Sequence, residues 1–290
     1  MKAEKEVIAR INIIYHLWKK INQYLLARRN VPIVSYAGRE LEEMLVSWIF
    51  ELKKSKAIAN NVFAFRTANY PFKGKSGVRH KIDVVIYVVG RPALCFLVEC
   101  KNFDIYNFRE NVKKGKVPWV RENVIYSMLM RAYDLCPKLF FEKEFRINIE
   151  RSYCMLMTTR PLTSTAILTA LSYGICVIQP EIYSYKILLS EEVSEREKDT
   201  LKKFPLFIPP EALYCELLNI QKSKHPISKI NLKILYDFCR ENINKDLENL
   251  LFKENICHKT YWQDLIKNKE FLKKLKYLSY YYYSMEGKFL

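Results

Sequence analysis

The hydrophobic positions near the start of the chain follow the period of an α-helix. They recur at spacings of four and three, and they are Val7, Ile11, Ile14, Trp18, Ile21 and Leu25. We expect one long amphipathic helix over residues 4 to about 28. Its apolar face must be covered, either by packing or by dimerisation. Val31, Pro32 and Ile33 break this pattern, and a second helix is predicted from about Tyr36.

The next segments carry β-strand signals. NNVFAFRTANY (60–70) is rich in β-formers, and the polar, glycine-bearing KGKSGVRH (73–80) reads as a loop. KIDVVIYVV (81–89) and ALCFLVECK (93–101) are then separated by only Gly90, Arg91 and Pro92. Two apolar runs joined by three turn residues predict a β-hairpin.

The middle of the chain alternates helical and strand patterns. A basic segment (105–116) leads into the helically spaced WVRENVIYSMLMRAYDL, after which SYCMLMTT, LTSTAILTALSYGI and CVIQP indicate strand, helix and strand. This order predicts an α/β fold with a mixed central sheet flanked by helices. We assign residues 1–35 to an N-terminal helical arm and residues 36–190 to this α/β domain.

Past Ser190 the composition changes to lysine-rich helical segments separated by the proline-punctuated FPLFIPP. Residues 191–290 are therefore predicted to form a smaller, mainly helical domain. One solution is a helix-turn-helix or winged helix, with His258 and Lys259 on the recognition helix HKTYWQDLIK. A helical bundle without DNA contact is the other, and the pattern leaves both open.

Charge narrows the choice of partner. Lys and Arg outnumber Asp and Glu by 48 to 31, a formal net charge of +17. An excess of this size favours a polyanionic partner, with nucleic acid first and an anionic membrane surface second. No stretch is apolar enough to span a bilayer, and the N-terminus has no secretory signal. We expect a cytoplasmic protein without a membrane partner. Its eight cysteines contain no CxxC pair and are interpreted as reduced thiols.

The end of the second hairpin strand carries the candidate chemistry. Glu99 and Lys101 are two residues apart, so both project from the same face of a strand. If Val89 pairs with Ala93 across the three-residue loop, Asp83 lies opposite Glu99. Two carboxylates about 5 Å apart repel unless a cation or proton lies between them, and such oxygen ligands suit Mg²⁺ or Mn²⁺. The lysine can hold the attacking water and offset charge on a phosphoryl group.

With these residues in place, IDVVIYVVGRPALCFLVECK resembles the PD-(D/E)xK nuclease superfamily, with a restriction-endonuclease-like core. It is most similar to archaeal Holliday-junction resolvases and Mrr-type endonucleases, over roughly residues 36 to 180. Ile82 stands where the family name has proline. The resemblance implies a Mg²⁺-dependent (or Mn²⁺-dependent) DNA endonuclease, acting as a homodimer on duplex or branched DNA. It implies metal ligation by Asp83, Glu99 and the backbone carbonyl of Cys100, whose thiol stays in the core, with Lys101 as the catalytic amine.

The second helix extends this resemblance. GRELEEML supplies a glycine followed four residues later by Glu42. The resemblance implies that Glu42 approaches the metal site as an additional ligand, direct or through water. Glu40 and Glu43 lie on the same turn and remain alternatives.

Basic residues near the candidate site predict contacts with nucleic acid. Those around residues 105–121 are interleaved with Tyr106, Phe108 and Trp119, which suits base or sugar stacking, although a solvated loop is a close alternative. Asp104 and Glu110 are interpreted as ordinary solvated charges. The predicted DNA contacts are Arg79, His80, Lys81, Arg109, Lys113, Lys114, Lys116, Arg121, His258 and Lys259.

Other interpretations remain beside the nuclease. Asp83, Glu99 and Lys101 could form only a structural salt-bridge cluster, although two acids and one base leave a net negative charge. A catalytically silent DNA-binding protein could keep the nuclease fold as a scaffold. An RNA-processing nuclease is the third alternative.

Overall fold

A computed structural model describes the following parts of the chain: residues 2–28, 37–67, 71–90, 93–103, 105–135, 149, 151–180, and singly 185, 196, 200, 209, 212 and 215. In chain order its elements are α1 (Lys2–Ala27), α2 (Ala37–Lys54), β1 (Val62–Arg66), β2 (Phe72–Lys73), β3 (Arg79–His80), β4 (Val84–Val88), β5 (Leu94–Lys101), α3 (Ile105–Lys113), α4 (Glu122–Leu135), β6 (Arg151–Thr158), α5 (Ser164–Ser172) and β7 (Cys176–Ile178).

Five strands form one mixed sheet in the order β1-β4-β5-β6-β7. β1, β4 and β5 are antiparallel neighbours, whereas β5, β6 and β7 run parallel. Parallel neighbours need a long crossover, and here α3 and α4 lie between β5 and β6 in the chain while α5 lies between β6 and β7. The predicted mixed α/β arrangement is confirmed.

The hairpin register agrees with the sequence prediction. β4 and β5 pair from Val88↔Leu94 to Val84↔Val98, the register that a three-residue connection requires. Gly90, which begins this connection, has φ of 130°, a conformation that side chains rarely allow. Loop length therefore sets which residues meet at the far end of the hairpin.

β5 is a central strand, bordered by β4 and β6, and all its residues from Leu94 to Cys100 are buried. Strands covered on both faces are continuously apolar as a rule. Glu99 breaks this rule at 6% exposure. A carboxylate this deeply buried needs partners that compensate its charge.

The N-terminal helix α1 packs into the main core. Ile14, Leu17 and Ile21 are completely buried and belong to the same apolar cluster as the sheet residues Val84, Phe96 and others. Tyr24 meets Trp48 of α2 edge to face at a centroid distance of 5.7 Å. Of the two predicted uses of this face, packing is the one observed.

Two segments differ from the expected loops. Residues 72–80 form the short β2–β3 ribbon rather than an irregular loop, and most of the basic segment forms α3. Within α3, Phe108 is fully buried and stacks on Phe103 at 4.3 Å. The prediction that Phe108 stacks on bases is therefore wrong, because its ring is used in a second apolar cluster with Leu25, Phe103, Val112 and Tyr185.

Within the part of the chain that the structure describes, no helix combines the length and apolar character needed to cross a bilayer. Cys95 and Cys100 are buried free thiols, as predicted. The predicted C-terminal domain, with His258 and Lys259, lies outside the described residues apart from a few single positions. One of these, Ala212, is completely buried in the main core.

Candidate functional site

Asp83 is fixed at the end of the β4–β5 hairpin by two backbone contacts. It directly precedes Val84, so continuing the observed register places it opposite Glu99. Its Oδ2 accepts a hydrogen bond of 2.8 Å from the Cys100 amide, and its carbonyl accepts one from the Thr67 amide. The carboxylate is thereby tied directly to β5.

Glu99 has a cation on each carboxylate oxygen. Lys101 Nζ lies 2.6 Å from Oε1, and Arg131 Nη1 lies 2.9 Å from Oε2. Glu99 is buried, whereas the Lys101 side chain is 32% exposed. The predicted pairing on one strand face is observed, and charge-assisted hydrogen bonds of this length are strong.

Arg131, which lies on α4, was not predicted from the sequence. Its Nε and Nη2 donate to the carbonyl and hydroxyl of Ser127, one turn earlier, and its Nη1 also donates to the Lys81 carbonyl. Its own helix therefore holds the guanidinium against both strands at the open end of the hairpin, where Asp83 lies opposite Glu99. A single cation inside the otherwise uncharged VIYSMLMRAY was the signal that could have pointed to it.

Among the four glutamates of α2, Glu42 is the buried one, at 6% exposure. Arg66 of β1 donates from Nε to Glu42 at 3.3 Å and from Nη1 to the exposed Glu43 at 2.6 Å. Glu40 instead pairs with Arg28, the residue that follows α1. Of the alternatives left open by the sequence, Glu42 is the one that faces the strand carboxylates.

Burial raises the pKa of Asp83 from 3.8 to about 6, with the negative charge of Glu99 as the next cause and Glu42 adding to it. The Cys100 amide and Lys101 oppose the rise. Asp83, Glu99 and Glu42 therefore lie close enough to interact electrostatically. Without a compensating cation, Asp83 is half protonated near pH 6.

Asp83, Glu99 and Glu42 offer the carboxylate oxygens that hard divalent cations prefer, and burial, with repulsion from Glu99 second, holds Asp83 partly neutral. Arg66 and Arg131 nevertheless change the expected charge balance. With Lys101 they bring three cations to Asp83, Glu42, Glu99 and Glu43, so most of the net negative charge is offset. Among the described side chains, no group of three or more His, Cys, Asp or Glu residues is arranged to hold a metal ion.

The thiol of Cys100 is buried, as the resemblance implied. Burial raises its pKa well above the usual value, and the carboxylates of Asp83, Glu42 and Glu99 add to the rise. A thiol held protonated is a poor metal ligand. Its backbone is the part that contributes to the site, through the amide bound to Asp83.

The predicted DNA contacts fall into two described groups. Arg79 and Lys81 are exposed beside the site, while His80 turns inward and lies 2.5 Å from Oδ2 of Asp134. Around α3, Lys113 pairs with Glu110, and Arg109 is partly buried. The remaining members of that group are exposed, and they are Lys114, Lys116 and Arg121.

A polar network that sequence reasoning also missed lies directly behind Lys101. The hydroxyl of Thr159 donates to Asn102 Oδ1 at 2.5 Å, and Asn102 Nδ2 donates to the Tyr24 hydroxyl at 3.0 Å. Arg160 Nε donates to the Asn102 carbonyl at 2.8 Å. The sequence signal for this network was that two buried strands each end in polar residues, KN at the end of β5 and TTR at the end of β6. These ends meet because β5 and β6 are parallel neighbours. This network ties α1 to the strand end that carries the site.

Comparisons of the chain with protein-family models, with curated proteins and with solved structures found no match. The resemblance to PD-(D/E)xK nucleases therefore rests on the motif residues of the sequence and stays a prediction.

Proposed function

We propose that this chain is a metal-dependent DNA endonuclease that hydrolyses phosphodiester bonds with a PD-(D/E)xK-type site. Its main support is the hairpin register that sets Asp83 opposite Glu99, with Lys101 2.6 Å from Glu99 and Glu42 of α2 raising the pKa of Asp83. The mixed sheet and the order of elements after β5 agree with the family arrangement. The net charge of +17 supports a polyanionic substrate.

Asp83 and Glu99 are the proposed ligands of Mg²⁺ or Mn²⁺, with Glu42 assisting and the Cys100 carbonyl added by the family resemblance. A bound cation would supply Lewis acidity at a phosphoryl oxygen and a more acidic water. The carboxylates themselves are positioned before any ligand arrives, since Asp83 is held by the Cys100 amide and Glu99 by Arg131.

Lys101 is the proposed catalytic amine. Its Nζ donates to Glu99 Oε1 while a third of the side chain remains open to solvent. Three N–H bonds allow the ammonium to keep this partner and also hold a water or a phosphoryl oxygen. Lys101 therefore orients the attacking water and offsets negative charge that develops during hydrolysis.

The proposed enzyme works as a homodimer, because two copies of one kind of site can cut the two strands of a duplex. We place this enzyme in the cytoplasm. Exposed cations on the β2–β3 ribbon and after α3 supply phosphate contacts.

The choice between RNA and DNA as the substrate is made by assaying cleavage of an RNA duplex and a DNA duplex of matched sequence. A four-way junction assayed beside its linear arms separates branched from linear substrates.

A second candidate is a catalytically silent DNA-binding protein on the same scaffold. It is favoured by Glu99, whose two oxygens are already paired with Lys101 and Arg131. In such a protein the two cations take the place that a metal ion would otherwise have in balancing the carboxylates.

The test is cleavage of linear, supercoiled and four-way-junction DNA with Mg²⁺ or Mn²⁺, by the wild type and by Asp83→Asn. Asparagine keeps an oxygen that can accept the Cys100 amide hydrogen but loses the charge. Glu43→Gln is the matched control, because Glu43 is exposed and lies beside Glu42. We expect Asp83→Asn to lose at least about 10³-fold in rate, several kcal/mol of transition-state stabilisation, while Glu43→Gln stays within about twofold.

Failure of the wild type to cut any DNA that it binds would favour the silent binder. Undiminished cleavage by Asp83→Asn would remove Asp83 from the mechanism and overturn the proposed site.

A further inference from the structure

The β2–β3 ribbon is a small two-stranded element with a tight turn. Phe72 pairs with His80 and Lys73 with Arg79. The Gly74 amide donates to the Val78 carbonyl at 2.8 Å, and Gly77 turns the chain with φ of 85°. The ribbon therefore has a defined register despite having only two residues in each strand.

Its two faces differ in chemistry. Phe72 packs against the main core, and His80 is bonded to Asp134. Side chains alternate along a strand, so the neighbouring pair Lys73 and Arg79 belongs to the opposite face, and both are exposed. The ribbon has an inner face that docks on the protein and an outer face that is cationic.

Lys73 and Arg79 are direct cross-strand neighbours of like charge. Such a pair is destabilising unless an anion lies near it. Within the described residues neither side chain makes an ion pair. Lys81, two residues after Arg79, is exposed as well, whereas Lys75 lies over the ring of Tyr133. The outer face therefore concentrates positive charge that the protein itself leaves uncompensated.

Asp134 of α4 locks the ribbon in place. Its carboxylate accepts hydrogen bonds from the Ser76 amide at 2.8 Å and the Ser76 hydroxyl at 2.6 Å, in addition to the contact with His80. These bonds lower the pKa of Asp134 to about 2. A Cβ at Gly74 would overlap this carboxylate, so any other residue there would force the Asp134 side chain to move.

The same helix holds the candidate site. Arg131, one turn before Asp134, donates to both Glu99 and the Lys81 carbonyl. α4 therefore contacts the ribbon through one residue and the buried carboxylate through another. The cationic face is held at a set position relative to the proposed catalytic residues.

We propose that the ribbon of residues 72–80 is a duplex-DNA contact, with Lys73 and Arg79 on backbone phosphates and Asp134 as the residue that positions it. A two-stranded ribbon fits the major groove of B-DNA, which is about 12 Å wide. Single strands are bound instead on exposed aromatic platforms. The ribbon's aromatic residue, Phe72, packs inward, and the exposed apolar residue at its turn is Val78. The choice of DNA as the ligand rests on the proposed function, but binding of DNA to the ribbon requires no cleavage.

The experiment measures binding of the full chain to a linear DNA duplex in EDTA, by fluorescence anisotropy over a series of KCl concentrations. The test variant is Lys73→Gln/Arg79→Gln. The matched control is Lys54→Gln/Lys56→Gln, which removes the same charge. Those lysines are exposed and lie just before β1, and β1 starts at the sheet end opposite Asp83.

We expect the ribbon variant to lower the slope of log K against log salt by about two, since each phosphate contact contributes about 0.9. The control should change the slope by less than half that amount. Lys73→Arg/Arg79→Lys should retain the wild-type slope, and Asp134→Ala should weaken binding although it removes a negative charge.

Equal effects of the ribbon and control variants would overturn the proposal, as would tighter binding by Asp134→Ala. An equal loss on a single-stranded oligonucleotide would overturn the duplex assignment. Thermal unfolding without DNA provides a check on folding, and removing the like-charge pair should leave the melting temperature unchanged or raise it. Because binding is measured without metal, failure here is distinguishable from failure of the nuclease proposal.

Discussion

The tripeptide pattern Glu-x-Lys occurs at residues 51–53 and 99–101 in contrasting structural settings, and a third occurrence, at 286–288, lies outside the described residues. Glu99 and Lys101 lie on β5 and contact each other at 2.6 Å, with Glu99 buried. In α2, Glu51 is half exposed and pairs with Lys20 of α1, while Lys53 lies over the ring of Phe63. A spacing of two brings side chains together on a strand but turns them apart on a helix. Of these two described occurrences, the one on β5 belongs to the candidate site.

The strongest test of this contrast replaces each glutamate with glutamine. Glu99→Gln leaves two partly buried cations without their counter-charge, so we expect a loss of about 3 kcal/mol in the free energy of unfolding. Glu51→Gln removes an exposed ion pair and should cost less than about 0.5 kcal/mol. Urea denaturation of both variants measures the difference. Similar losses at the two positions would mean that burial of Glu99 does not set its importance.

The next largest expected effect is the dependence of the free energy of unfolding on the protonation of Asp83. Its folded pKa, about 6, exceeds the usual 3.8, so the folded state binds the proton more tightly than the unfolded state. The resulting stability is present below pH 3.8 and is lost as pH rises through 6. Without divalent metal, we expect unfolding free energy to fall on the order of 2 kcal/mol over this range.

The matched measurement uses Asp83→Asn, which cannot ionise. Its unfolding free energy should lack this component of the pH dependence and should exceed that of the wild type at pH 7. Parallel pH profiles for the two proteins would contradict the shifted pKa of Asp83.

The smallest effect comes from removing one cationic partner of each glutamate. Arg131→Gln breaks one of the two ion pairs of Glu99 and should cost about 1 to 2 kcal/mol. Lys20→Gln, which breaks the exposed pair of Glu51, should cost less than about 0.5 kcal/mol and become neutral in 1 M salt. Denaturation at low and high salt checks both expectations. A larger loss for Lys20→Gln would reverse the order of the two settings.

Several features of the fold could be predicted because they depend on neighbouring residues. The β4–β5 register follows from a three-residue connection, and that register sets Asp83 beside Glu99. The two β2–β3 strands escaped prediction because a two-residue strand has too little alternation to stand out in a glycine-bearing polar segment.

The partners of the site could not be predicted in the same way. Arg131 is 32 residues from Glu99, Arg66 is 24 from Glu42, and Asp134 is 54 from His80. Each contact depends on how a helix or strand is rotated against its neighbours, and local periodicity does not specify that rotation. These residues decide whether the carboxylates are compensated and how the ribbon is held.

By itself the sequence determined the mixed α/β layers, the hairpin and the strand face shared by Glu99 and Lys101, because periodicity and loop length act over a few residues. Only the tertiary structure decided that Glu42 is the buried glutamate of α2, that Arg131 and Arg66 balance the acids, and that Asp134 fixes the cationic ribbon. Charges separated by dozens of residues interact only once packing has brought them together.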